Sequence, residues 1–127
     1  MKIINTIEDF RSWRYGVSGS IGFVPTMGAL HDGHLSLVAE ANRICQNTVV
    51  SIYLNPAQFS PQEDFDTYPR NIQSDMEALS DYNVDIIFSP EDSEIYPNGF
   101  STYVQETKLS KVLEGKSRPT FFQGVST

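Results

Sequence analysis

Short unbroken apolar runs alternate with longer stretches in which apolar residues return every three or four positions. This alternation holds over the first two-thirds of the chain. Residues 2–5 form the first apolar run and predict a short strand. Asn5 or Thr6 can then cap a helix that carries Ile7, Phe10, Trp13 or Arg14, and Val17 on one face, with residues 16–19 ending it. Residues 21–24 predict the first strand of a central sheet. A helix follows over about 33–46, with Leu37, Val38, Ala41, Ile44 and Cys45 on one stripe and Ser36, Glu40, Arg43 and Asn47 opposite. Residues 48–54 are nearly all apolar and β-branched, the pattern of a parallel strand covered on both faces. A helix over 71–82 with Ile72, Met76 and Leu79 inward and a strand over 84–88 complete the regular part.

Strand, helix, strand, helix, strand in this order predicts a Rossmann-type three-layer α/β/α fold with a parallel central sheet, in one domain over residues 1–127. The pattern weakens after Ser89-Pro90. There the expectation is a turn at 95–99, a strand at 102–105 and a short helix at 109–113. Residues 55–68, bracketed by Pro56, Pro61 and Pro69, lack any sustained period and predict a loop with room for one helical turn. So long a loop inside a compact domain points to function.

Composition narrows the classes. No stretch approaches the roughly 18 apolar residues that span a bilayer, and the N-terminus turns polar too soon for a signal peptide. The single cysteine, Cys45, allows no internal disulfide framework and fits a reducing cytoplasm; its place on an apolar helix face makes it a small buried hydrophobe. The net charge of −7 is unevenly spread: ten acidic residues and one basic residue, Arg70, lie between Pro61 and Ile95. Such a chain lacks the extended basic surface that nucleic-acid binding needs. The cluster Lys108, Lys111, Lys116 and Arg118 could still serve a small anion such as a nucleotide, or be a solvated surface.

The chemistry concentrates in Pro25-Thr26-Met27-Gly28-Ala29-Leu30-His31-Asp32-Gly33-His34, between a predicted strand and a predicted helix. A helix start gathers unpaired backbone N–H groups and the positive end of the dipole, so it suits phosphate. Gly33 would let the backbone approach a ligand closely. His31 and His34, one turn apart, can share a face, and a polyphosphate would raise their pKa values toward the charged form. Ligands of a doubly wound sheet gather beyond the strands' carboxyl ends, so this segment and residues 55–59, which follow the next strand, are expected to be neighbours. The G-x-G-x-x-G and G-x-x-x-x-G-K-[ST] loops are absent, which disfavours a dehydrogenase or a Walker-type ATPase. No H-E-x-x-H or paired Cys/His spacing suggests a protein-bound metal. The chemistry indicated is nucleotidyl transfer.

The segment from Phe23 to His34 closely resembles the signature of the pantoate–β-alanine ligase family, among the HIGH-type nucleotidylyltransferases. Ser51-Ile52-Tyr53-Leu54-Asn55-Pro56-Ala57-Gln58-Phe59, Asp66-Thr67-Tyr68-Pro69-Arg70, Glu94-Ile95-Tyr96-Pro97-Asn98-Gly99 and Leu113-Glu114-Gly115-Lys116-Ser117-Arg118-Pro119 resemble further family stretches, in the right order over essentially the whole chain. H-x-G-H alone would indicate only the superfamily; its combination with N-P-x-Q-F indicates this family. The resemblance implies ATP- and Mg²⁺-dependent joining of (R)-pantoate to β-alanine through a pantoyl adenylate, with release of pyrophosphate and AMP. It further implies that Met27, Gly28, Ala29, Leu30, His31, Asp32, Gly33 and His34 hold ATP, with His31 and His34 catalytic donors to its phosphates. Gln58 would bind pantoate near β-alanine. Asn55 would contact substrate or cap its loop. Tyr68 and Arg70 would brace that loop, and Glu114 and Arg118 would belong to the wall of the site or to contacts in a homodimer.

Phe121 and Gln123 replace the histidine and arginine common in the family's R-P-x-H-F-x-G-V stretch, which reduces the basic character there. The family also continues past Thr127 with a G-x-K-D-x-Q-Q segment and a later S-S-R-N stretch. The resemblance therefore implies a nucleotidylyltransferase half truncated before the C-terminal domain, with little turnover by itself. Two alternatives stand beside it: another H-x-G-H nucleotidylyltransferase, and a non-catalytic nucleotide-binding or dimerisation module.

Overall fold

The computed structural model describes residues 1–127. The chain divides into two compact units: Met1–Leu54 with Pro69–Ile95, and Asn55–Tyr68 with Tyr96–Thr127.

The first unit is an α/β fold. Its elements are β1 (Lys2–Ile4), α1 (Ile7–Gly16), β2 (Ile21–Thr26), α2 (Asp32–Ile44), β3 (Asn47–Ile52), α3 (Ile72–Leu79), β4 (Ile86–Phe88) and α4 (Asp92–Ile95). The four strands make one parallel sheet in the order β1-β4-β3-β2. The first apolar run is thus itself a strand of the central sheet, paired to β4 in the register Ile3 to Ile87. Thr6 caps α1 by accepting from the Asp9 N–H (3.1 Å), and the Glu94 carboxylate accepts from the Ile7 N–H (2.8 Å).

Strand alternation sorts the core into two faces. Val24, Val50 and Ile87 pack with Val38, Ala41 and Leu79 of α2 and α3. Ile4, Val49 and Ile86 pack with Phe10 and Trp13 of α1. Helices therefore cover both sides of a sheet whose central residues are fully buried, as the apolar run at 48–54 requires. The buried stripe of α2 is rotated from the sequence expectation: Val38 and Ala41 are buried and Leu35 packs beside them, whereas Leu37 and Ile44 are exposed. Cys45 is half-buried. On α3, Leu79 is buried and Met76 packs against the core, but Ile72 is exposed and Asp75 takes an inward position.

The second unit contains a 3₁₀ turn at Pro56–Gln58, another at Leu109–Lys111, α5 (Glu114–Ser117) and α6 (Phe121–Ser126). The strand expected at 102–105 does not form. Instead the Val104 N–H donates to Thr127 Oγ1 (3.1 Å) and the Val104 carbonyl accepts from Ser126 Oγ (2.6 Å), so the C-terminal turn uses the groups a sheet neighbour would need. Of the helix expected at 109–113 only the 3₁₀ turn forms. α5 and α6 are too short to leave a helical period in the sequence. Arg118 anchors the long loop: it donates to the Gln58 carbonyl (2.7 Å) and pairs with Glu63 (2.7 Å) and Glu114 (3.6 Å).

Leu79 has no exposed surface. Leu79→Ala is expected to lower unfolding free energy by about 2–5 kcal/mol in chemical denaturation, from lost transfer energy and the residual cavity. A loss under about 1 kcal/mol would contradict this packing.

Candidate functional site

β2 ends at Thr26 and α2 begins at Asp32, so residues 27–31 form the connection between them. Thr26 Oγ1 starts the turn, donating to the Ser51 carbonyl (2.7 Å) and accepting from the Gly28 N–H (3.2 Å). Gly28 (φ 79°) and Ala29 (φ 52°) are consecutive left-handed residues. A Cβ at Gly28 would lie 2.9 Å from Asp75 Oδ2, so the position requires glycine for space as well as for its dihedral. Asp75, reaching in from α3, is buried, and its two oxygens accept from the Ala29 N–H (3.2 Å) and the Leu30 N–H (2.8 Å). Leu30 packs against the core.

His31 is the N-cap of α2, in extended conformation. Its Nδ1 accepts from the Gly33 N–H (3.1 Å), while His34 Nδ1 accepts from the His31 N–H (3.3 Å). The two bonds make a reciprocal capping box in which imidazoles take the roles usual for Ser/Thr and Glu/Gln. The ring centroids are 4.0 Å apart and tilted by 41°. A ring nitrogen that accepts a hydrogen bond carries no proton, so each neutral ring holds its proton on Nε2. Neither Nε2 has a partner within the chain, and His31 is exposed while His34 is half-buried. Two N–H donors are thereby available on one helix start.

His34 is held below the ordinary imidazole pKa, first by partial burial and then by the His31 charge, with Asp75 opposing both. In the chain by itself this burial favours the neutral His34 imidazole, with its proton on Nε2. The N–H groups of Gly28, Ala29, Leu30, His31 and Gly33 are engaged within the chain. A Cβ at Gly33 would sit 2.9 Å from His31 Cε1, so the absent side chain accommodates the cap's own ring. Met27 is half-buried, and Asp32, the first residue of α2, is exposed.

In the second unit Asn55 caps the turn Pro56–Gln58. Its Oδ1 accepts from the Ala57 N–H (3.0 Å) and the Tyr96 hydroxyl (2.8 Å). Because a backbone N–H can only donate, this fixes the Asn55 amide, whose Nδ2 donates to Gln58 Oε1 (3.1 Å) and to the Gly124 carbonyl (2.9 Å). Asn55 thus caps its loop. It also orients Gln58, occupying the amide oxygen and leaving Nε2 to donate. Arg118 lies over the Phe121 ring at 4.2 Å, so the aromatic residue at that position packs on a cation. Tyr68 packs edge-on to Phe59 with ring centroids 5.7 Å apart, as a brace of this loop would.

Asp75 and Tyr96 escaped the sequence reading as site residues. The signal for Asp75 was present: an acid four positions before Leu79 on the inward face of an amphipathic helix is a buried charge that needs a partner.

His34 is expected to titrate below 6.5 by NMR. Its folded pKa being lowered, the stability it contributes is present above the unfolded imidazole value and is lost as pH falls through the folded value. An unchanged or raised midpoint would contradict the geometry. His31→Ala should destabilise the chain by about 1 kcal/mol through loss of the cap, and His31→Asn should recover most of that loss. Equal melting temperatures for the two variants would count against the capping role.

A family model described as pantoate-beta-alanine ligase matches residues 2–127. The pantothenate synthetase of Thermotoga petrophila is 53% identical over 130 residues, covering 100% of this chain and 46% of the relative. That of Chloroflexus aurantiacus is 47% identical over 127 residues, covering 100% and 45%. The crystal structure of the Thermus thermophilus pantothenate synthetase superposes with a TM-score of 0.92 at 43% identity over 100% of this chain and 46% of that one. A Francisella tularensis pantoate-beta-alanine ligase, described as complexed with beta-gamma ATP and beta-alanine, gives 0.91 at 42% identity over 98% and 49%. The chain thus spans about half the length of the curated relatives it matches. With a family match that runs through the glycine turn, both histidines and the Asn55–Gln58 turn, the chain belongs to the pantoate-beta-alanine ligase family.

Proposed function

We propose that the whole protein joins (R)-pantoate to β-alanine at the expense of ATP, and that residues 27–34 hold the nucleotide. The observation that carries this reading is the two-histidine capping box, which leaves two Nε2–H donors at one helix start. The relatives' ligase activity and the ATP and β-alanine of the Francisella complex support it.

In the first step a pantoate carboxylate oxygen attacks the α-phosphorus of ATP. A new P–O bond forms, the bond to the bridging oxygen breaks, and pyrophosphate leaves with the electron pair. Negative charge grows on the leaving phosphate oxygens, and donors fixed beforehand stabilise that state more than the ground state. His31 and His34 are assigned this role. In the second step the β-alanine amine attacks the acyl carbon of pantoyl adenylate, loses its proton and expels AMP. Gln58, its oxygen engaged by Asn55, is assigned to pantoate, to whose carboxylate or hydroxyl oxygens its Nε2 can donate. Mg²⁺ enters on the nucleotide in this reading. Asp75, the buried acid beside the turn, has both oxygens engaged by backbone N–H groups and does not present itself as a ligand. A homodimer and a cytoplasmic setting belong to the same proposal; no helix is long and apolar enough to cross a membrane.

Calorimetric titration with ATP and Mg²⁺ should show one site. His34→Ala should weaken it about tenfold or more, the effect of losing one hydrogen bond to a charged group, while the protein stays folded. Absence of ATP binding, or equal affinity in the folded variant, would refute the assignment.

A further inference from the structure

We propose that Asp75 is a positioning residue of the two-histidine site, holding the left-handed turn at Gly28 and Ala29 so that His31 caps α2 and both imidazoles aim Nε2–H groups outward. The assignment starts from burial. Asp75 is 4% exposed, and a carboxylate so placed needs hydrogen bonds to each oxygen. The donors it finds are two successive backbone N–H groups of the turn, Ala29 at 3.2 Å and Leu30 at 2.8 Å. Ala29 has φ 52°, a conformation an L-residue with a Cβ adopts only when its surroundings impose it. Gly28 carries no side chain where one would touch Asp75 Oδ2, so turn and carboxylate fit each other.

One residue further on, the His31 N–H meets His34 Nδ1, and the His31 ring folds back over the Gly33 N–H. Both ring orientations therefore follow from where residue 30 leaves the turn, and Asp75 fixes that residue's N–H. The charged groups acting on His34 are its cap partner His31 and Asp75 from α3. Asp75 thus reaches the site in two ways: it fixes the backbone that places the rings, and its negative charge acts on His34. It has no need to touch the ligand. The role as phosphate donor rests on the reading above; the positioning of the rings stands independently of it.

Asp75→Asn keeps the volume and one acceptor but sets an amide N–H₂ against a backbone donor. With folding checked by circular dichroism and Trp13 fluorescence, nitrogen-detected NMR of the imidazoles should show the His34 titration midpoint falling relative to the unaltered chain. Both rings should also lose their single Nε2–H tautomer, and ATP affinity should weaken about tenfold. A role confined to stability would lower the melting temperature and leave the His34 midpoint and both tautomers unchanged, and that result would overturn the proposal. Amide hydrogen exchange in the unaltered chain provides a second measurement that needs no variant. Slow exchange at Ala29 and Leu30 supports the clamp, and exchange at the rate of an exposed loop overturns it. If the unaltered chain binds no ATP, the nucleotide reading fails while the imidazole spectra still decide the role of Asp75.

Discussion

The buried carboxylate of Asp75 accepting from the Ala29 and Leu30 N–H groups is the contact on which the geometry of the glycine turn depends. A left-handed alanine costs on the order of 1–3 kcal/mol. Hydrogen bonds to a charged group contribute about 1.5–3 kcal/mol each, so two of them are sufficient to hold that conformation. The exchange is mutual, because the turn supplies the donors without which the carboxylate would be a buried unpaired charge. One contact thus joins the start of α3 to the exit of β2 and sets the direction in which α2 begins. Thr26 extends the same logic to the sheet: its hydroxyl donates to the Ser51 carbonyl on β3 while accepting from Gly28.

The sequence made the layers legible, because burial on both faces leaves unbroken apolar runs such as Thr48 to Ile52, and half-buried helices leave a period near 3.6. The H-x-G-H pair stood out as two imidazoles one turn apart at a strand-to-helix junction, but its structural role as a reciprocal helix cap did not. The phase of α2 was legible at Val38 and Ala41 but not at the edges of the stripe, where packing brings Leu35 to the core and leaves Leu37 and Ile44 exposed. Asp75 was missed for a related reason, since a polar residue on an apolar face shows its purpose only when the partner turn is in place. In the second unit the 102–105 run joins no sheet. Strand propensity cannot reveal that Ser126 and Thr127 hydroxyls engage the Val104 backbone.

Within the second unit an amide orientation is transmitted along a short chain of unambiguous donors. The Ala57 N–H fixes Asn55, and Asn55 fixes Gln58, while Arg118 holds the Gln58 carbonyl from the other side. The charged end of Arg118 is itself set by Glu63, whose carboxyl lies below the usual range because the Ser60 N–H and the Arg118 guanidinium favour its ionised form. Such a network holds a flexible glutamine with one fixed set of donors, so its orientation belongs to the loop and not to the side chain alone.

The use of histidine as the cap follows from the demands made on residues 31 and 34. A serine or aspartate would satisfy the helix N-terminus equally well, but its oxygen would be turned inward and nothing would remain to face a ligand. Imidazole has two nitrogens on opposite sides of a rigid ring, so one can accept from the backbone while the other donates outward. The two functions are coupled through the proton. Adding one to Nδ1 destroys the acceptor, breaks the cap and removes the constraint that aims Nε2. At His34 the cap bond and partial burial both favour the neutral ring. A helix start built in this way turns one nitrogen of each ring to the backbone and leaves the other at its surface.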